Sequence, residues 1–307
     1  ALEILGRRRP GLVQLEIGVQ STNGTTICEV SRTMDLDRLK TAVLTVNASK
    51  NIHQHLDLLA GLPFEDYRSF ARSFDAVYAL TPDQLQLGFL KVLKGSRMHR
   101  DAGLYNIVYS PKAPYEVLKT RWMSFGDLIR MKGVEEMVEV YYNSRQFERT
   151  LAYMLHFYES PFAFYEDLAA FYEEQGIGKV LKSRMQRYDI LLEFAGEKGL
   201  FDMGLIMDLM TVDLYARENL KYTPVWMTEQ TELKNFREAF YMDEEKIRAY
   251  LPGYGANGYT GRQIMRMTHM AGFDHDPDLT AQAGEKRGGP QVLIFDYSDR
   301  NPLNGSA

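Results

Sequence analysis

The chain of 307 residues is 45% hydrophobic and 25% charged, with a formal net charge of -5. That length suits about two domains with a sizeable core, and the slight acidity gives no reason to hold phosphate backbones or anionic lipid, so nucleic acid and membrane surfaces are not expected partners. Its single cysteine, Cys28, excludes an internal disulfide framework and any cluster or zinc site built from several thiolates of this chain.

No stretch approaches the roughly 20 consecutive apolar residues of a membrane helix, and the first residues lack the basic-then-apolar layout of a secretory signal. A cytoplasmic location is the expectation. The chain starts at Ala1 within what reads as a helix-to-strand connection, as a piece of a longer protein would.

Arg7-Arg8-Arg9 reads as a solvated loop before the first strand. Three apolar runs of strand length follow, Leu12 to Val19, Leu56 to Ala60 and Leu85 to Leu93. Between the first two, Leu36, Leu39, Val43 and Val46 recur as on a buried helix face over Asp35 to Ala48; between the next two, Phe70, Phe74, Val77 and Tyr78 do so over Glu65 to Leu80. This order predicts an α/β fold of parallel strands with right-handed helical crossovers. A doubly wound sheet and a barrel both fit it.

After about residue 112 helical spacing takes over, with helices predicted over 124–141, 147–155, 162–175, 179–195 and 202–219. The chain therefore divides into an α/β part, 1–112, and a mainly α-helical part, 113–307. Tyr141, Tyr142, Tyr153, Tyr158, Tyr165, Tyr172 and Tyr188 are expected in the core, with hydroxyls reaching the surface. Residues 253–259, rich in glycine and tyrosine, read as a flexible loop without a nucleotide fingerprint. Val292 to Tyr297 reads as a last strand, at an edge.

Ligands of parallel α/β sheets lie beyond the C-terminal strand ends. Gln20 and Ser21 stand at the first such end, Gly61-Leu62-Pro63 at the second, and Gly88 interrupts the third run where backbone can approach closely. Asp57 lies within the second strand, where a buried carboxylate needs a partner to offset a desolvation cost of several kcal/mol. His53 and His55 share a face at the N-terminal end of that strand, away from the ligand side, and suit packing. Glu65 and Asp66 are explained by the dipole and cap of the following helix.

The segment Leu15-Glu16-Ile17-Gly18-Val19-Gln20-Ser21, with Arg32 twelve residues beyond the Gln, resembles the fourth-strand region of radical-SAM enzymes of the coproporphyrinogen-oxidase-like group. His55 through Ala60 with Gly61-Leu62-Pro63 resembles the next strand and its turn, and Leu85 to Gly95 the sixth strand. Residues 97–307, including Tyr141-Tyr142-Asn143-Ser144, look like the helical C-terminal region of bacterial radical-SAM proteins that carry an N-terminal cobalamin-binding domain. The resemblance implies the C-terminal part of a radical-SAM (β/α) barrel followed by a mainly helical domain. It implies S-adenosylmethionine as cofactor, with Gln20 on its adenosine or methionine part, Arg32 facing its carboxylate, Asp57 fixing that end of the pocket and Gly88 bordering it.

Phe64 departs from the Gly often found after Gly-Leu-Pro. The Cys-x-x-x-Cys-x-x-Cys loop that holds the four-iron, four-sulfur cluster is absent, as are the Gly-Gly-Glu-type segment and any cobalamin domain. Cluster and cobalamin are thus expected only through upstream segments. The resemblance implies an enzyme of radical or cobalamin-linked methyl-transfer chemistry on a small-molecule or peptide substrate, with this chain inactive alone. The alternatives are a non-catalytic interaction protein on a degenerate half-barrel, or an ordinary α/β enzyme with an unrelated pocket. An incomplete barrel leaves strand edges open, so self-association is expected.

Overall fold

Period-two alternation of apolar and polar residues builds the sheet that organises the first part of the chain. The computed structural model describes residues 2–178, 182–227, 233–298, 300–301, 303 and 305–307. In chain order, α1 (Leu2–Gly6) precedes β1 (Val13–Gln20), α2 (Gly24–Glu29), α3 (Leu36–Ser49), β2 (Ile52–Ala60), α4 (Tyr67–Tyr78) and β3 (Gln84–Phe89). The three strands are parallel in the order β1-β2-β3. Asp35 and Asp66 start α3 and α4 by accepting from Arg38 N (3.0 Å) and Ser69 N (2.7 Å), the side-chain caps that orphan N-terminal amides need.

Ile52, Gln54, Leu56, Leu58 and Ala60 are buried, whereas His53, His55, Asp57 and Leu59 on the opposite face are half-exposed. The strand begins four residues earlier than its apolar run because histidines interrupt the pattern. The third strand is shorter than its run. Leu90 N still donates to Ala60 O (2.9 Å), but the Leu90 carbonyl accepts from Val117 N (2.9 Å), so the chain leaves the parallel sheet there. Next come α5 (Arg97–Arg100) and an antiparallel pair, β4 (Val108–Tyr109) with β5 (Val117–Lys119).

Helix α6 (Phe125–Met137) runs into a π-helical turn, Val138–Asn143, and is followed by α7 (Glu148–Leu155), α8 (Pro161–Glu174), α9 (Arg184–Lys198) and α10 (Met203–Tyr215). Residues 179–181 of the expected 179–195 helix lie outside the described residues. Then come α11 (Leu233–Met242), α12 (Glu244–Tyr250), α13 (Pro252–Ala256), α14 (Gly261–Met267), β6 (Thr268–Phe273), α15 (Pro277–Ala283) and β7 (Gln291–Asp296). The stretch read as a flexible loop over 253–259 is thus largely helical, its first turn set by Pro252, which suits position N1 because its missing N–H would be unpaired there anyway. The last strand pairs antiparallel with β6, so the second half carries a two-stranded sheet among its helices.

The chain packs as two units, residues 1–145 with 158–180, and residues 146–157 with 181–307. In the second, Asp213 on α10 caps α7 from outside, accepting from Arg149 N (3.1 Å), Thr150 N (2.9 Å) and Thr150 Oγ1 (2.8 Å). Phe147 at the cap position has no side-chain acceptor to offer. Burial raises the Asp213 carboxyl to about 6, against the pull of Arg149.

In the first unit the tyrosine stripe is core. Its hydroxyls pair inside rather than at the surface: Tyr141 with Tyr172 (2.7 Å) and Tyr78 with Tyr165 (3.3 Å). Asn143 does something the stripe does not suggest. Its side chain accepts from Leu85 N (2.9 Å) and donates to Leu85 O (3.1 Å), standing in for a neighbouring strand on the free edge of β3. The outer edge of β1 has no paired strand among the described residues.

Replacing Asn143 by Ala removes both bonds, each contributing about 0.5–1.5 kcal/mol. Chemical denaturation should show a loss of roughly 1–3 kcal/mol, and hydrogen exchange a faster Leu85 amide; an unchanged Leu85 amide would contradict this role.

Candidate functional site

At the C-terminal end of β1 the pairing with β2 slips by one residue: Gly18 faces Asp57, but Gln20 faces Leu58. This bulge puts Gln20 at a φ of 69°, and bulges re-aim side chains at strand ends. The Arg32 guanidinium returns to the same point and donates through NH1 to the Gly18 carbonyl. Gln20, Arg32, Val30, Ser31, Leu59 and Arg97 are among the residues lining a cleft of about 380 Å³. A Cβ on Gly18 would lie 2.8 Å from Gln20 Nε2 and 3.5 Å from both terminal Arg32 nitrogens. Only glycine leaves the Gln20 amide where it is.

Asp57 lies on the same sheet face, opposite Gly18 and two residues before Leu59. Its Oδ1 is buried with no hydrogen-bond partner. Burial raises its carboxyl, the Glu16 charge adds to that, and His55 opposes it. The partner that the sequence demanded is thus not supplied as an ion pair by the described residues. Gly88 does not reach the cleft itself; it sits opposite Leu59, whose Cδ1 would be 3.2 Å from an added Cβ. His53 and His55 share the face further down, Nδ1 to Nε2 at 2.9 Å, with His53 held below its usual pKa chiefly by burial.

The turn after β2 puts two residues, Gly61 and Phe64, at positive φ. Gly61 has a φ of 88°, and a Cβ there would meet Val117 Cγ1 at 2.8 Å. Phe64 takes the left-handed region at 63°, a strained conformation for a bulky residue, costing about 1–2 kcal/mol. Asn23 Nδ2 donates to its carbonyl (3.0 Å), and its ring packs on Trp122 with centroids 4.6 Å apart. Beside it a second hollow of about 480 Å³ is lined by Gly24, Thr25, Cys28, Glu29, Phe64 and Arg97. Arg97 bonds Ser31 Oγ (3.0 Å) and the Glu29 carbonyl (2.8 Å) and pairs with the carboxylates of Glu29 and Asp101.

Sequence reasoning missed Glu65. Asp66 is the helix cap, as expected, but Glu65 is fully buried. It accepts from Ser21 Oγ (2.6 Å) and Ser73 Oγ (3.1 Å), while its Oε2 has no partner. Thr22 N also reaches Ser73 Oγ (3.0 Å), so this carboxyl ties the loop after β1 to α4 directly behind Gln20. Burial raises it to about 7, over the opposing bonds from the two serines. The available signal was its position after Gly-Leu-Pro, within a turn, rather than inside the helix.

Among the described residues no group of three or more His, Cys, Asp or Glu is arranged to hold a metal ion. No helix among them is long and apolar enough to cross a membrane.

Residues 103–295 match the family described as protein of unknown function, DUF4080. The chain belongs to this family. No curated protein matches it. The DUF4080 segment starts after Met98, the last residue lining the cleft, and it supports the site from behind. It contributes Tyr105, whose hydroxyl donates to Glu29 (2.5 Å), Trp122 under Phe64, and Asn143 on β3.

For Glu65 the folded carboxyl titrates above its unfolded value of 4.5, so the folded state binds more protons through that window. Stability therefore falls as pH rises from about 4.5 to about 7, by roughly 3 kcal/mol from this group. Glu65→Gln should flatten the difference between unfolding free energies at pH 5 and pH 8 by that amount. Equal slopes in wild type and variant would contradict the protonated carboxyl.

Proposed function

We propose that this chain forms the S-adenosylmethionine-binding part of a radical-SAM enzyme. The observation that carries the reading is the convergence of Gln20 and Arg32 on one cleft at the C-terminal end of a parallel strand, with Asp57 on the same sheet face. Ligands of such sheets gather at these ends. Two features support a barrel segment over a doubly wound sheet. The strand order runs β1-β2-β3 without reversal, so right-handed crossovers put both helices on one face, and the opposite face of β2 is polar and half-exposed, as a barrel interior around a ligand would be.

The residues fit the cofactor. A volume of about 380 Å³ falls within the range of small-molecule sites. The Arg32 fork matches a carboxylate and the Gln20 amide offers a donor and an acceptor to polar edges; Asp57 does not line the cleft, and its unpaired Oδ1 is buried on the same sheet face. When bound, S-adenosylmethionine supplies a methyl or a 5′-deoxyadenosyl group. The chain's residues bind and orient it: Glu65 holds Ser21, which follows Gln20, and Leu59, Leu62 and Met98 exclude water from the cleft wall. A four-iron, four-sulfur cluster does not fit this chain, because Cys28 is a single exposed thiol and such clusters need several. Cluster and cobalamin belong, in this reading, to upstream segments.

S-adenosylmethionine titrated into the protein by calorimetry should bind. Arg32→Ala removes a charge-assisted bond of about 1.5–3 kcal/mol, which corresponds to roughly tenfold to hundredfold weaker affinity, and Asp57→Asn should also weaken it. Wild-type affinity in both variants would overturn the reading.

A further inference from the structure

Among the described residues, the second unit holds a cation with no ion-pair partner. Arg237 on α11 is partly buried, and its Nε is buried without a hydrogen-bond partner. NH2 donates to the Met270 carbonyl at 3.3 Å. No carboxylate among the described residues forms an ion pair with it. Asp296, whose charge reaches the neighbouring Tyr241, is occupied by Tyr254 OH (2.6 Å), Ser298 N (2.9 Å) and Ser298 Oγ (2.8 Å).

Beside Arg237 lies a cavity of about 100 Å³ whose polar lining is Asn219, Arg237, Tyr241, Thr268 and His269, with no acidic side chain. The amide and the imidazole can each donate a hydrogen bond, whereas Thr268 Oγ1 already donates to the Ile264 carbonyl (2.9 Å) and pairs with the Tyr241 hydroxyl. His269 stacks on Tyr215, with ring centroids 3.9 Å apart and planes 21° from parallel. Burial and the Arg237 charge push it down to about 4, so at neutral pH it is an uncharged ring with one N–H to give. A buried or half-buried charge is ordinarily paired, and a guanidinium edge beside neutral donors suits planar or tetrahedral oxygen anions.

We propose that Arg237 anchors a binding site for a small oxyanion, a phosphate or carboxylate group, in the cavity between α11 and β6. The volume admits such a group and excludes a nucleoside. The terminal nitrogens of the Arg237 guanidinium are the first contact, and Asn219 and His269 complete the donors; the Tyr241 and Thr268 hydroxyls are already spent on each other and on the Ile264 carbonyl. The site is separate from the cleft at Gln20 and Arg32, and stands whether or not that cleft takes S-adenosylmethionine.

Inorganic phosphate, acetate and glycerol 3-phosphate, each added to the full chain at constant ionic strength against sodium chloride, provide the test. Thermal unfolding should rise saturably with at least one of them, and Arg237→Gln should weaken the apparent affinity tenfold or more. A response to phosphate or acetate assigns a free ion; a tighter response to glycerol 3-phosphate assigns a group carried by a larger molecule. Should the variant unfold, the wild-type Arg237 guanidinium resonances replace it, and are expected to shift and exchange more slowly on titration. No saturable response to any probe, an equal response in folded Arg237→Gln, or unmoved Arg237 guanidinium resonances at saturation would overturn the site.

Discussion

Right-handed crossovers between neighbouring parallel strands put α3 and α4 on a single face of the sheet, and the rest of the first unit depends on that one-sidedness. The covered face takes Ile52, Leu56, Leu58 and their neighbours out of water. The other face is left to Gln14, Glu16, His53, His55, Asp57 and Gln86, residues that would be costly under a second helical layer. A polar sheet face next to a strand-end bulge is therefore a consequence of topology. It is also the face from which Gln20, Arg32 and Asp57 act in the proposed site.

Much of this arrangement was legible in the residues. Val43 and Val46 announced α3, although Leu36, expected on the same buried face, is exposed; Asp35 and Asp66 announced two helix starts, and Asp57 stood out as a carboxylate in the wrong place for a core strand. Other features could not be read because they depend on distant partners. Nothing in the spacing of Asn143 tells that its amide bonds Leu85, 58 residues earlier in sequence. Glu65 looked like a second acid at a helix start, and nothing in its spacing tells that it is buried against Ser21 and Ser73, with burial raising its carboxyl. The last strand was visible as an apolar run, but its partner β6 was hidden because Thr268, His269 and Gly272 dilute the β pattern.

Two buried carboxyls show how the same chemistry serves different ends. Asp213 meets two backbone amides and a hydroxyl on α7, so its role is local capping with Arg149 beside it. Glu65 meets two serines and keeps one oxygen unpaired, burial raises it to about 7 against those two bonds, and it joins the loop after β1 to α4. Asp57 is the third case: it sits on the half-exposed face of the sheet, yet its Oδ1 is buried there without a partner. A ligand, rather than a neighbouring side chain, is the natural partner there.

The central claim, that Gln20, Arg32 and Asp57 surround one cofactor, is tested most directly by a crystal structure of the protein with S-adenosylhomocysteine. The account predicts ligand density in the cleft between Gln20 and Leu59, with the Arg32 guanidinium turned to the ligand carboxylate. Density elsewhere on the molecule, or a bound ligand that leaves Arg32 on the Gly18 carbonyl alone, would contradict it.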